Sequence, residues 1–185
     1  MTKITKKQIE EWQRQVGKGN VVKLATEDGK EAYLKDPLTD LRIMKMAIEA
    51  LSKSVSAYVE SIVNACWLGG DEEIKTDEQY LTGLEDQVNE FTEISDFYIE
   101  NAEDGYATIK TMGYQVKLKR PDRNAVKFAE QKNPRDVPFE TSIHLAENIV
   151  TEGLDQIKQD TKAYISLLTA IREVRQKKAV MSTRL

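Results

Sequence analysis

One cysteine, one histidine and four prolines occur in 185 residues, and aromatic side chains make up only 7%. A single cysteine excludes an intrachain disulfide and a cysteine-rich zinc site, which fits a reducing compartment. Cys66 stands at the end of an apolar run beside Trp67-Leu68, where a small buried thiol is expected. The lone histidine, His144, has no second ligand at metal spacing, so a packing or surface role is expected for it. No apolar run reaches membrane length and no secretory leader is recognisable. The formal net charge of −4 offers no support for the strongly basic face that a nucleic-acid partner needs, so such a partner is disfavoured. Arg172, Arg175, Lys177, Lys178 and Arg184 gather near the C-terminus, where cations complement a helix dipole. With 31% charged and 40% hydrophobic residues and so little proline, the composition favours helix around a core over disorder.

The glycines also fail to build a phosphate loop. Gly69-Gly70 and Gly17-Lys18-Gly19 lack both a Gly-Lys-Ser/Thr sequence and a dinucleotide-binding pattern. Asp71, Glu72, Glu73 and Asp77 lack calcium-loop spacing, and helix capping explains them better. The residues therefore supply no catalytic constellation, no cofactor site and no metal site, and the chain reads as a non-enzyme.

What the sequence does contain is an internal repeat. Gly70-Asp71-Glu72-Glu73-Ile74-Lys75-Thr76-Asp77 returns as Gly153-Leu154-Asp155-Gln156-Ile157-Lys158-Gln159-Asp160, with Gly, Ile, Lys and Asp in register 83 residues apart. Upstream, Leu34-Lys35-Asp36-Pro37 answers Leu118-Lys119-Arg120-Pro121, and Gly29 answers Gly113, at a spacing of 84. A loop tolerates one residue of net change. Each copy opens on a β-hairpin: Val21–Thr26 and Glu31–Lys35 around Asp28-Gly29, then Tyr106–Thr111 and Tyr114–Lys119 around Met112-Gly113. An isolated hairpin is marginal in water, so each needs helices or a further strand beside it.

After Pro37, Leu41, Met44, Ile48 and Leu51 share a helical face; after Pro121 the set is Ala125, Val126, Phe128 and Ala129. The second copy then meets a loop, Asn133-Pro134-Arg135-Asp136-Val137-Pro138. A second helix carries Val55, Tyr58, Val59, Ile62, Val63 and Cys66, matched by Ile143, Leu145, Ala146, Ile149 and Val150. Asp77 and Asp160 are expected N-caps of a last helix, with Leu81, Leu84, Val88 and Phe91 matching Tyr164, Leu167, Ile171 and Val174. The first of these helices is expected to continue through Ile94, Phe97 and Tyr98 to an acidic joint at Glu100–Gly105. Ahead of the repeat, Thr5-Lys6-Lys7-Gln8 has capping-box spacing, and Ile9, Trp12 and Val16 line a helix that Gly17 stops. Cover for Trp12 comes by default from its own chain.

The expected fold class is thus α+β, predominantly helical: two tandem copies of a β-hairpin followed by a three-helix unit, plus an N-terminal helix. The expected divisions are an N-terminal helix at 1–20, modules at 21–100 and 101–178, and a tail at 179–185.

The order of hairpin, Leu-Lys-x-Pro step, helix, amphipathic helix ending at Asn64-Ala65-Cys66-Trp67-Leu68-Gly69-Gly70, acidic turn and last helix resembles small tail assembly chaperone-like proteins of tailed bacteriophages. The resemblance covers Val22 to Phe91 and, more weakly, Ala107 to Val174. It implies a phage morphogenesis protein that binds a tail or virion protein during assembly, in the bacterial host cytoplasm. The alternative is a virion structural protein retained as a homo-oligomeric ring or lattice component. Either would work by protein contact, without a cofactor or membrane, and Trp12, Trp67 and Tyr98 are the candidate interaction residues.

Overall fold

The computed structural model describes residues 4–94, 96–101 and 105–174. Cations expected at Arg175, Lys177, Lys178 and Arg184, the acids Glu103 and Asp104, and the tail at 179–185 lie outside the described residues. The chain is mixed α+β and divides into two units, Met1–Ile94 and Ser95–Leu185.

In the first unit, Thr5 and Gln8 close a reciprocal capping box on α1 (Lys6–Val16), and Gly17 ends the helix at φ 95°. Strands β1 (Val21–Ala25) and β2 (Glu31–Lys35) pair antiparallel from Val21↔Lys35 to Ala25↔Glu31. Pro37 starts a short 3-10 turn, Pro37–Thr39, whose leading amide at Leu38 donates to the buried Asp36 carboxylate at 2.8 Å. Asp40 then caps α2 (Leu41–Leu51), and Ser54 caps α3 (Val55–Cys66). Trp67–Gly70, expected to close that helix, is instead strand β3, paired antiparallel with β2. This third strand supplies the support that the hairpin required. Helix α4 (Glu73–Thr76) occupies the acidic turn, and α5 (Glu78–Gly83) and α6 (Glu85–Thr92) follow, so the single last helix of the sequence reading is two pieces. Asp77 caps α5 by accepting from the Gln79 amide at 2.8 Å.

Leu34, Ile62, Val63, Cys66, Ile74 and Val88 are fully buried and form the core between the sheet and these helices. Leu51 lies outside that core at 45% exposure, although its spacing had placed it on the apolar face. The expected continuation of helix through Phe97 and Tyr98 is overturned: α6 stops at Thr92, and Phe97–Asn101 is strand β4 of the second unit. Glu100 and Asn101, read as part of an acidic joint, close that strand.

The second unit holds β4, β5 (Tyr106–Thr111), β6 (Tyr114–Lys119) and β7 (Val150–Glu152) in the sheet order β4-β5-β6-β7, all antiparallel. Pro121 stays outside the following helix, because Asp122 supplies the cap of α7 (Arg123–Lys132) by accepting from the Ala125 amide. Asn133 organises the proline-bearing loop. Its side chain accepts from the Val137 amide at 2.9 Å and donates to the Val137 carbonyl at 2.9 Å. Helix α8 (Glu140–Ile149) runs into β7, and α9 (Leu154–Ile157) leads to α10 (Thr161–Val174), where Asp160 accepts from the Ala163 amide. Ile109, Val116, Leu118, Leu145, Leu167 and Ile171 are fully buried, so this core lies between one face of the sheet and the helices α8 and α10.

Both sheets contain the same irregularity. Strand β3 meets β2 with Tyr33↔Gly69 and Leu34↔Trp67, and the register shifts between Tyr33 and Leu34. Strand β7 meets β6 with Lys117↔Glu152 and Leu118↔Val150, shifting between Lys117 and Leu118.

Candidate functional site

Two of the exposed large apolar side chains of the second unit, Tyr98 and Met112, stand at one end of its sheet. Thr111 faces Tyr114, leaving Met112-Gly113 as a two-residue turn with φ of 47° and 81°. Both values are positive, as a type I′ hairpin demands, yet a bulky methionine occupies a position that Asn, Asp or Gly fills more easily. Its side chain is 44% exposed. Strand β4 lies alongside with Phe97 opposite Thr111 and Tyr98 opposite Lys110. A hollow of about 450 Å³ is lined by Phe97, Tyr98, Lys110, Met112, Tyr114 and Gln115, among others.

Strand alternation divides these side chains between two faces. Ala107, Ile109 and Thr111 point into the core, while Tyr98, Glu100, Lys110 and Gln115 are exposed. Thr111 is tied to the buried Ser166 of α10 by a 2.8 Å hydroxyl hydrogen bond, which anchors the strand beneath the turn. Lys110 bonds Glu100 at 2.8 Å, and that hydrogen bond raises the Lys110 pKa. Tyr98 is 64% exposed on the edge strand of this sheet.

The other two candidate interaction residues are half-buried against their own unit. Trp12 of α1 stacks at a tilt on Tyr33, with ring centroids 5.5 Å apart, and a Cβ at Gly69 would come within 2.9 Å of its ring. Gly69 is therefore the seat for the indole. Trp67 faces Leu34 across the sheet, and the Lys75 ammonium sits 4.7 Å from its ring centre. Trp12 and Trp67 belong to the first unit and Tyr98 to the second.

A polar cluster at the first hairpin tip had no sequence counterpart. The Tyr80 hydroxyl donates to Asp28 at 2.5 Å and accepts from Lys30 at 2.7 Å, while Lys30 also pairs with Glu73. Hydrogen bonds from Thr26 and Tyr80 hold the Asp28 carboxyl down at about 2. The Glu73 and Tyr80 hydrogen bonds raise Lys30. This set fastens the hairpin turn to α4 and α5.

The acids of the signature stretch have local partners too. Asp71 accepts from the Glu31 amide at 3.0 Å, Glu72 pairs with Lys75 at 2.6 Å, and Asp77 is the cap already described. His144 lies on α8 with Glu140 and Glu147 at 3.8 and 3.6 Å. Among the described residues no group of three or more His, Cys, Asp or Glu could hold a metal ion, and no helix is long and apolar enough to cross a membrane. Burial pushes the Cys66 thiol up to about 12, which keeps it protonated and unreactive at neutral pH.

Sequence reasoning reached Tyr98 but not Met112 or the hollow. The signal was present in the Met-Gly turn, where an apolar side chain must stand in solvent. A scan of protein-family models finds no match to this chain, and comparisons with curated proteins and with solved structures find none either.

Proposed function

We propose that this chain is a non-catalytic binding protein acting in tailed-phage morphogenesis, and that it grips a tail or virion protein at the Met112-Gly113 hairpin tip. The observation that carries the reading is the exposed Met112 held at positive φ beside a hollow walled by Phe97, Tyr98 and Tyr114. Local strain and exposed apolar area at the same place are what a contact surface shows when its cover is another protein. The phage setting comes from the resemblance in element order. Co-expression with each tail and capsid protein of the same genome, followed by affinity capture, tests it. Capture of a tail protein that Met112→Asp abolishes supports the reading, and capture unaffected by Met112→Asp removes this surface from it. Mass spectrometry of purified particles separates an assembly chaperone, absent from them, from a retained structural component.

The architecture belonging to this reading is a tandem duplication. The matching sheet irregularities support it, since the pairs Tyr33↔Gly69 and Lys117↔Glu152 stand at the spacings of 84 and 83 found in the sequence. A Cβ at Gly70 would strike the Glu31 carbonyl at 2.3 Å, and one at Gly153 would strike the Gln115 carbonyl at 2.7 Å, again at those spacings. Two similar modules on one chain offer two related surfaces for assembly.

A further inference from the structure

Sheet edges invite pairing with other strands, and proteins blunt them with lysines, prolines, bulges or brevity. Among the described residues, two of the four sheet edges are short or irregular and a third carries a lysine. β1 carries Lys23 at its centre, paired with Glu31 of the neighbouring β2, β3 contains Gly69-Gly70 and a register shift, and β7 is three residues long with a shift of its own. β4 has no lysine, proline, bulge or shortening, and its one charged residue is Glu100. Phe97-Tyr98-Ile99-Glu100-Asn101 pairs with β5 in unbroken register on one side, and its single charge is matched by Lys110 of the neighbouring strand. Among the described residues its backbone makes no hydrogen bond beyond the ladder to β5.

We propose that the β4 edge docks on the β4 edge of a second copy of this chain, antiparallel about a two-fold axis at Ile99. The choice of occupant comes from the strand's own side chains. A two-fold axis perpendicular to the sheet keeps the faces matched, so residues of like parity must stand opposite one another. Centring on Tyr98 would set Glu100 against Asp96, and centring on Glu100 would set that carboxylate against itself; both oppose like charges. Centring on Ile99 uses all five residues. It places Tyr98 opposite the second copy's Glu100, where a phenol hydroxyl can donate to a carboxylate, and Phe97 opposite Asn101. The two four-stranded sheets would join into one of eight strands, a size that open twisted sheets reach. This inference rests on the reading that the rim works through protein contacts, but uses the strand edge and not the hairpin tip.

Sedimentation equilibrium of the full chain over the micromolar range tests it, with circular dichroism to check that each variant is folded. The wild type is expected to dimerise. Tyr98→Glu, which opposes two pairs of carboxylates across the axis, is expected to weaken the dimer about tenfold. Adding Glu100→Lys to that variant should restore the affinity by facing opposite charges. A monomeric wild type, a single variant no weaker than wild type, or a double variant no tighter than the single one would each overturn the proposal. A monomer that still captures its tail protein defeats this inference alone; a dimer that captures none defeats the functional reading alone.

Discussion

Gly70 offers the sharpest perturbation. Its φ is 137°, and an added Cβ would come within 2.3 Å of the Glu31 carbonyl oxygen and 2.6 Å of the Ala32 Cα. Both obstacles are backbone, so neither can swing aside as a side-chain tip would. Overpacking costs about 1–3 kcal/mol and a left-handed backbone about 1–2 kcal/mol more, so Gly70→Ala should cost about 2–5 kcal/mol. Gly29→Ala supplies the control. Gly29 also has positive φ, 85°, but its Cβ would meet nothing within 4 Å, so only the backbone term of about 1–2 kcal/mol applies. Both glycines and both tryptophans, Trp12 and Trp67, lie in the first unit, so tryptophan fluorescence during urea unfolding reports the relevant transition. The midpoint should fall clearly further for Gly70→Ala than for Gly29→Ala. Costs within about 0.5 kcal/mol of each other would refute the close approach of β3 to the β2 backbone at Gly70.

Leu167 is fully buried in α10, so Leu167→Ala should destabilise its unit by about 2–5 kcal/mol in thermal or denaturant unfolding. Phe128, 48% exposed, should lose less than about 1 kcal/mol on replacement by alanine, although sequence spacing had put it on the same kind of apolar face. The Asp28 carboxyl titrates at about 2 when folded against an ordinary 3.8, so its contribution is complete above pH 3.8 and disappears as pH falls through 2. Asp28→Asn should therefore weaken the hairpin tip near neutral pH and match the wild type at the acid end, as followed by amide exchange at Gly29 and Lys30.

The hairpins were legible because turn chemistry and alternation are local signals. Asp28-Gly29 and Met112-Gly113 mark their positions, and the strand limits on both sides follow. β3 and β7 were not legible. Four residues ending in Gly-Gly and three residues after a helix carry no alternation to read, and their pairing partners lie more than 30 residues away in sequence. β4 was misread for a different reason: Ile94, Phe97 and Tyr98 fall at helical spacing after a true helix, while the strand is made by its ladder to β5. With β4 taken as helix, its open edge was invisible, and so was the hollow that it walls. Trp12 drew attention on its helical stripe, and both it and Trp67 prove to be half-buried in the first unit.

Hydrogen exchange of the full chain, alone and saturated with the tail or virion protein that it captures, tests the central claim most directly. Peptides spanning the Met112-Gly113 turn should exchange more slowly in the complex, while those covering the α7–α8 loop around Asn133 should not change. A stable complex in which the Met112-Gly113 turn exchanges at its free rate would contradict the assignment of that tip as the gripping surface.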